Sequence, residues 1–173
     1  MNESIKLSKT ERIMRSLVKH YNPDKYWKYR ERVLESNSRF PKILRLYWLF
    51  YIKRCDAFNN ASFGTHLGYG AVFDEPPILP HGLNGIIISH HAHVGKNCTI
   101  YHDVTIGNGH EGGGDAPSIG DNCYISAGAK LTGKIRIGNN VVIGTNCVIV
   151  DDIPDNSLVV LNKPRIIRNK KEE

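Results

Sequence analysis

Aliphatic residues recur at every sixth position along the second half of the chain. They are Ile88, Val94, Ile100 and Ile106 and, after one interruption, Ile119, Ile125, Leu131, Ile137, Ile143 and Ile149. This period matches neither the 3.6-residue period of an amphipathic helix nor the alternation of an ordinary strand meander. It is typical of a solenoid whose sides are short strands. We therefore expect each of these side chains to point inward and to stack on its counterpart one coil away.

Small residues and asparagines occupy the positions around each aliphatic residue. Glycine or serine follows it at Gly95, Gly107, Gly120, Ser126, Gly138 and Gly144, and asparagine recurs at Asn97, Asn122, Asn139, Asn140 and Asn146. Glycine and asparagine adopt positive φ angles at little steric cost. The pattern predicts that these residues turn the corners between the sides of the solenoid.

The repeat is interrupted once, between Gly107 and Ser118, where three consecutive glycines occur at Gly112, Gly113 and Gly114. Thirteen residues separate Ile106 from Ile119, and twelve would keep the repeat in phase. A glycine-rich excursion from a rigid solenoid is a common place for a mobile loop that covers a substrate. A plain surface loop is the alternative interpretation.

The first part of the chain predicts helices. Residues 8–21 combine a capping box, Ser8 with Glu11, with apolar residues at helical spacing. A second helix is expected after Asn22, and a third after Pro41 that is apolar nearly all round. We expect the open first coil to cover this third helix, and contact with a membrane surface is the alternative. The predicted organisation is an α-helical extension over residues 1–60, a solenoid over 61–163 and a basic tail over 164–173.

The net charge of +6 is unevenly distributed along the 173 residues. Residues 1–60 carry 14 Lys and Arg against 6 Asp and Glu, whereas residues 61–154 carry 4 against 8. A basic end attracts phosphates, nucleic acid or anionic membranes, but a solvated helical surface explains the same excess. No nucleic-acid-binding module is recognisable, so we expect no nucleic-acid partner. No apolar run is long enough for a membrane span or a signal peptide, so we expect a cytoplasmic protein.

Cysteine and histidine are common metal ligands, but their spacing in this sequence does not predict a metal site. Cys98, Cys123 and Cys147 occupy the small-residue position of the repeat, which predicts a packing role, and Cys-x-x-Cys spacing is absent. His90, His91 and His93 fall at one corner, but the coils after His110 contain no further histidine. We therefore expect no metal.

One histidine stands out because of its surroundings. His81 lies in the stretch Leu79-Pro80-His81-Gly82-x-x-Gly85-Ile86, which is followed by Tyr101-His102-Asp103-Val104-Thr105-Ile106-Gly107 and by Ile125-Ser126-Ala127-Gly128-Ala129-Lys130. These stretches resemble the hexapeptide-repeat acyltransferases, in particular serine acetyltransferases and their shorter relatives that O-acetylate exopolysaccharides. The resemblance implies a mainly β fold, a left-handed parallel β-helix with three sides and a short N-terminal α-helical extension. It also implies acetyl-CoA as cosubstrate and a homotrimer with active sites between subunits.

In the resembled family the histidine that corresponds to His81 is the general base. It takes the proton from an acceptor hydroxyl as the oxygen attacks the acetyl-CoA thioester, a task that suits a neutral imidazole. A carboxylate steadies that histidine. The candidates here are Asp56, Asp74 and Glu75, and Asp74 is favoured.

The resemblance also implies binding residues. Gly107, Ala127, Lys130 and Thr145 are expected along the coenzyme, and Lys163 or Arg165 is expected at its 3′-phosphate. Asn84 and His102 are expected on the acceptor side.

The identity of the acceptor depends on departures from the serine acetyltransferase pattern. Pro80 precedes the histidine where the family has aspartate, and the loop Gly114-Asp115-Ala116-Pro117-Ser118 lacks the Arg-His pair that holds the amino-acid carboxylate in that family. A sugar or glycan hydroxyl is therefore the favoured acceptor, with L-serine as the alternative. A non-catalytic β-helix scaffold is the alternative of a different class.

Overall fold

The structure is a computed structural model that describes residues 10, 14, 17, 18, 20–109 and 114–163. The capping box at Ser8 and Glu11, and the tail at 164–173, lie outside these residues. Of the predicted first helix, Thr10, Met14, Leu17 and Val18 are described, and they are helical and exposed.

The second and third of the three predicted helices lie within the continuously described part of the chain and are confirmed. Helix α1 spans Pro23–Leu34, and the Asn22 side chain caps it by accepting a hydrogen bond from the backbone N–H of Lys25. Helix α2 spans Lys42–Phe58 and follows Pro41. Within the described part of the chain, neither helix combines the length and apolar character that a membrane crossing requires.

The described residues after α2 form fourteen short strands. They are β1 Thr65–His66, β2 Tyr69–Gly70, β3 Val72–Phe73, β4 Ile87–Ile88, β5 His93–Val94, β6 Thr99–Ile100, β7 Thr105–Gly107, β8 Ser118–Ile119, β9 Tyr124–Ile125, β10 Lys130–Thr132, β11 Arg136–Ile137, β12 Val142–Ile143, β13 Val148–Ile149 and β14 Leu158–Val159. Strands β1 and β2 form an antiparallel hairpin. The others form three parallel walls, with the order β4-β7-β10-β13 in the first, β3-β5-β8-β11 in the second and β6-β9-β12-β14 in the third.

The repeated aliphatic residues form the core of this three-sided column. All ten of those predicted to point inward are at most 4% exposed. They stack in register from coil to coil, for example Ile88 on Ile106 and Ile106 on Leu131 in the first wall. The solenoid predicted from the repeat is confirmed, and it has the three parallel sides that the resemblance implies. Each buried aliphatic side chain contributes roughly 1.5–3 kcal/mol of hydrophobic stabilisation.

Asparagine and glycine were both predicted to adopt positive φ at the corners, and the structure shows this for only some of them. Asn97, Asn122, Asn140 and Asn146 do adopt positive φ. The glycines that follow the aliphatic residues do not, so the prediction that they turn the corners is wrong. At Gly120 a Cβ would lie 2.8 Å from the carbonyl oxygen of Gly138. Glycine is required there because the backbone of the next coil comes so close.

The pairing of strands between coils shows that the glycine-rich excursion is longer than the sequence suggested. Ile106 belongs to the first wall and Ile119 to the second, so one side of the column separates them rather than two. Thirteen residues therefore replace six, and the excursion adds seven. A hydrogen bond from the Gly109 N–H to the Asp115 carbonyl closes its base. Residues 110–113 lie outside the described part, and a substrate-covering role stays a prediction.

The helices dock over the first coil through a buried arginine. Arg30 is 4% exposed, and its guanidinium donates to the Thr65 hydroxyl and to the carbonyl oxygens of Phe63 and Ala71. The covering of α2 is less complete than expected. One face, with Trp48 and Ile52, is buried, but the opposite face remains exposed in the chain. That face carries Ile43, Tyr47 and Phe50, which are 78%, 58% and 68% exposed.

Candidate active site

Four residues that the sequence assigned to binding lie at one edge of the column. Asn84, His102, Ala127 and Thr145 occupy equivalent positions in successive coils, at the corner where the chain enters the first wall. Backbone hydrogen bonds connect the coils at this corner: Asp103 N–H to Asn84, Gly128 N–H to His102 and Asn146 N–H to Ala127. We call these four residues the His102 edge. The residues predicted on the acceptor side and those predicted along the coenzyme therefore lie on one continuous surface.

His81 lies beside the His102 edge and outside the core. Its side chain is exposed, and its Nδ1 lies 2.6 Å from Nδ1 of His102. The Tyr101 ring meets the His81 ring nearly at right angles, with 5.3 Å between centroids. An exposed imidazole can reach a hydroxyl from solvent, which a general base requires. The sequence paired neither His102 nor Tyr101 with His81, although the Tyr101-His102 dipeptide of the next coil was the available signal.

Two of the three candidate carboxylates, Asp74 and Asp56, contact residues other than His81. Asp74 follows the second wall, and its Oδ1 lies 3.0 Å from Nε2 of His93. The Asp56 carboxylate is buried beneath the helices and accepts a hydrogen bond from the Tyr26 hydroxyl. Burial raises the pKa of Asp56 to about 6, against smaller opposing effects of the Tyr26 hydrogen bond and nearby cations. The expected pairing of Asp74 with His81 is therefore not what the structure describes, because Asp74 follows the second wall and contacts His93, whereas His81 lies in the turn segment before the first wall.

The remaining coenzyme candidates are spread over the first wall and the chain end. Gly107 ends β7, at the far end of the first wall from the His102 edge. The Lys130 Nζ donates to the carbonyl oxygen of Asp103 and to the Thr105 hydroxyl, which holds it close to the edge. Lys163 is exposed beyond β14, and Arg165 lies outside the described residues.

Of the three histidines expected at one corner, His90 and His91 belong to an aromatic cluster with His66 and Tyr69, and His93 contacts Asp74 instead. His66 stacks on Tyr69 at a centroid distance of 4.8 Å, and His90 packs against both rings and against His91. Burial, with Lys53 and His90 adding to it, lowers the pKa of His66. Among the residues that the structure describes, no group of three or more His, Cys, Asp or Glu side chains is arranged to hold a metal ion.

Comparisons with known proteins place this geometry in context. The family model "Bacterial transferase hexapeptide (six repeats)" matches residues 116–151. The serine acetyltransferase of Staphylococcus aureus is 42% identical over 98 residues, which are 56% of this chain and 46% of that protein. That of Mycobacterium tuberculosis is 39% identical over 104 residues, 60% of this chain and 45% of that protein. The chain thus spans about half the length of these curated relatives.

Solved structures of serine acetyltransferases are also similar to part of this chain. The crystal structure of Neisseria gonorrhoeae serine acetyltransferase is 31% identical, with a TM-score of 0.59 over 73% of this chain and 48% of that one. Its complex with serine matches 96% of this chain and 63% of that one with a TM-score of 0.67. At 24% identity this second match supports the fold alone.

The names of these relatives bear on the two acceptors expected from the sequence. They support the alternative, serine, and give no support to the favoured sugar or glycan acceptor or to membrane contact. The resemblance to hexapeptide-repeat acyltransferases and the expected fold class are confirmed. The chain is similar to hexapeptide-repeat serine acetyltransferases over about half of their length, and it is built on a left-handed parallel β-helix with a short helical extension.

Proposed function

We propose that the protein is an acetyl-CoA-dependent O-acetyltransferase that acetylates the hydroxyl of L-serine. The observation that carries the proposal is the exposed His81 imidazole beside the His102 edge. The similarity to proteins named serine acetyltransferase supports the choice of donor and acceptor.

His81 supplies the acid–base chemistry. Its Nε2 accepts the hydroxyl proton as the serine oxygen attacks the thioester carbonyl and forms the new C–O bond. The C–S bond then breaks, and the same nitrogen returns the proton to the departing thiolate of CoA. General catalysis of this kind typically contributes 10²–10⁴-fold. The proton, the acetyl group and the electron pairs are all accounted for without a metal.

The small side chains of the His102 edge give room for the coenzyme. Ala127 and Thr145 carry little bulk, so the pantetheine arm can run along the edge past His102. Lys163 and Arg165 are the cations available for the 3′-phosphate. Asn84 and His102 lie on the acceptor side of His81. Serine also brings a carboxylate, for which the Asp115-Ala116 stretch offers no cation.

A homotrimer would complete the site, as the resemblance implies. Exposed aliphatic side chains on the outside of the column support self-association: Val148, Val150, Leu158, Val160 and Leu161 are 57% to 68% exposed. Light scattering should give the mass of three chains. A monomeric mass at micromolar concentration would contradict this assembly.

The experiment combines binding with product analysis. Acetyl-CoA at 100 times its dissociation constant should stabilise the protein by about 2.7 kcal/mol, visible as a rise in melting temperature. Mass spectrometry of reactions with L-serine, serine analogues and nucleotide-sugars should detect O-acetylserine. A nucleotide-sugar product without O-acetylserine would contradict the acceptor, and the absence of both stabilisation and product would favour a non-catalytic scaffold.

His81→Asn tests the general base. The variant should lose turnover and keep the thermal shift with acetyl-CoA. His91→Asn is the matched control, since His91 lies at another corner of the column and should keep both. Turnover by His81→Asn at the wild-type rate would exclude His81 as the base.

A further inference from the structure

A cavity of about 730 Å³ lies between α1 and the strands of the first coil. Helix α1 contributes Trp27, Arg30 and Leu34 to its lining, and β2 and β3 contribute Tyr69 and Phe73. Binding sites for small molecules typically have volumes of about 300–1,000 Å³ and combine apolar walls with a few polar groups. The cavity therefore has the size and the lining of a small-molecule site, and we call it the Arg30 cavity.

Arg30 gives the Arg30 cavity a buried positive charge. Among the residues that the structure describes, its hydrogen bonds go only to uncharged acceptors, the Thr65 hydroxyl and two backbone carbonyls. Burial lowers the pKa of Arg30 to about 10, against smaller opposing effects of Tyr26 and Asp56, so the guanidinium remains charged at neutral pH. A buried charge is costly without a counter-ion beside it. An anion that enters the cavity would therefore be stabilised by this charge.

One nitrogen of the guanidinium is available to such an anion. The hydrogen bonds of Arg30 use Nε and Nη2, and Nη1 is neither bonded to a described residue nor sealed from solvent. Because Arg30 lines the cavity, Nη1 is the donor that a ligand there can reach.

Aromatic rings flank the same guanidinium. Its central carbon lies 4.7 Å from the ring centroid of Phe73 and 5.5 Å from that of Trp27. The two rings meet nearly edge to face, with 5.2 Å between their centroids. A ligand whose anionic group reaches Arg30 would thus have aromatic surface beside it, against which a ring of its own can pack.

We propose that the Arg30 cavity binds a small aromatic molecule that carries one carboxylate group. The carboxylate accepts a hydrogen bond from Nη1 of Arg30, and the ring of the ligand packs against Trp27 and Phe73. Hydrogen bonds between a guanidinium and a carboxylate are among the strong ones in proteins, because both partners are charged. Neither His81 nor the His102 edge lines this cavity, so the site is separate from the proposed site of acetyl transfer.

The charges of the lining favour a single negative charge on the ligand. Lys28 and Arg30 are its cations, and Glu31 and Asp74 are its anions. One carboxylate is compensated by the buried Arg30. The second charge of a phosphate monoester would instead face Glu31 and Asp74, and an ammonium group would be repelled by Arg30.

Calorimetric titration of the full-length protein tests the charge of the ligand. The probes are 2-naphthoate, 2-naphthylmethylamine and 2-naphthyl phosphate, which share one ring system. We expect 2-naphthoate to bind with one molecule per chain, and the amine and the phosphate to bind at least about tenfold more weakly. Equal affinities for the acid and the amine would overturn the proposal, and so would the absence of 2-naphthoate binding at about 1 mM. Since the titration measures binding alone, its result does not depend on acetyl transfer.

A substitution at the edge of the cavity tests the location. Val72 lines the Arg30 cavity from β3 and is 55% exposed, so a larger side chain there can fill the cavity without disturbing the core. Val72→Trp should weaken 2-naphthoate binding at least about tenfold and keep the melting temperature of the free protein. Val142→Trp is the matched control, because Val142 is an outward-facing valine on β12 of the third wall and is 39% exposed. It should bind 2-naphthoate like the wild type. Unchanged affinity in Val72→Trp, or an equal loss in both variants, would overturn the proposal.

Discussion

The Tyr26 hydroxyl donates a 2.7 Å hydrogen bond to Oδ1 of Asp56 and so connects α1 to α2 beneath the protein surface. Both residues are at most 4% exposed. Among the described residues, the second carboxylate oxygen of Asp56 has no hydrogen-bond partner. A buried carboxylate with only part of its hydrogen bonds satisfied is costly in its charged form.

This relationship predicts a pH dependence of stability. The pKa of Asp56 rises from 3.8 to about 6 on folding, mainly because of burial. Below pH 4 both states are protonated. Between pH 4 and 6 the unfolded chain loses the proton while the folded one keeps it, so the free energy of unfolding falls as pH rises. The loss is on the order of 3 kcal/mol and is complete above pH 6.

Asp56→Asn removes this ionisation and keeps an acceptor for Tyr26. Denaturant unfolding at a series of pH values should show the variant gaining stability relative to wild type between pH 4 and 6. Asp151→Asn, at an exposed position, should follow the wild-type curve. Parallel curves for Asp56→Asn and wild type would mean that Asp56 is not buried as described.

The close approach of coils at Gly120 gives a second prediction. An added Cβ would lie 2.6 Å from Oδ1 of Asn139 and 2.8 Å from the Gly138 carbonyl oxygen, and backbone atoms there cannot move without disturbing the register. Gly120→Ala should lower the free energy of unfolding by about 1–3 kcal/mol. In Gly107→Ala the nearest atom would be the Thr105 methyl at 3.8 Å, so its stability should stay within about 1 kcal/mol of wild type. Equal losses in both variants would contradict the argument.

The sequence could predict features that depend only on spacing along the chain, but not those that depend on contacts between coils. The ten inward aliphatic residues could be identified because a fixed period needs only the spacing along the chain, and their burial confirms it. The glycines could not be interpreted correctly. Positive φ and close backbone approach both select glycine, and only the coil register distinguishes Gly120, which makes room, from Gly128, which turns with a φ of +74°.

The six-residue repeat also does not predict which outward-facing side chains contact each other. His81 and His102 are 21 residues apart, whereas 18 residues separate Ile88 from Ile106 in the stacked core. The irregular segment before β4 therefore decides which side chain meets His102. Asp74 was assigned to His81 by analogy with a family position, whereas in the structure its carboxylate lies beside His93.

The stacked core predicts a contrast between two neighbours on β11. Ile137 is 1% exposed, whereas Arg136 points outward. Ile137→Ala should lower the free energy of unfolding by about 2–5 kcal/mol, because it removes burial and leaves a cavity between Ile119 and Ile153. Arg136→Ala should change it by less than about 0.5 kcal/mol. Chemical denaturation measures both, and similar values for the two variants would exclude the inward orientation of Ile137.

Filling the His102 edge should separate coenzyme binding from folding. Thr145 is exposed and occupies the position equivalent to Ala127 one coil later, so a large side chain at Thr145 has room in the free protein but would lie in the proposed path of the pantetheine arm. Thr145→Trp should weaken acetyl-CoA binding at least about tenfold, a loss of about 1.4 kcal/mol, without lowering the melting temperature of the free protein. Lys96→Trp, at an exposed turn between the second and third walls, should bind acetyl-CoA like the wild type. Calorimetric titration of the three proteins measures the difference. Unchanged affinity in Thr145→Trp would place the coenzyme away from this edge and leave His81 without a donor beside it.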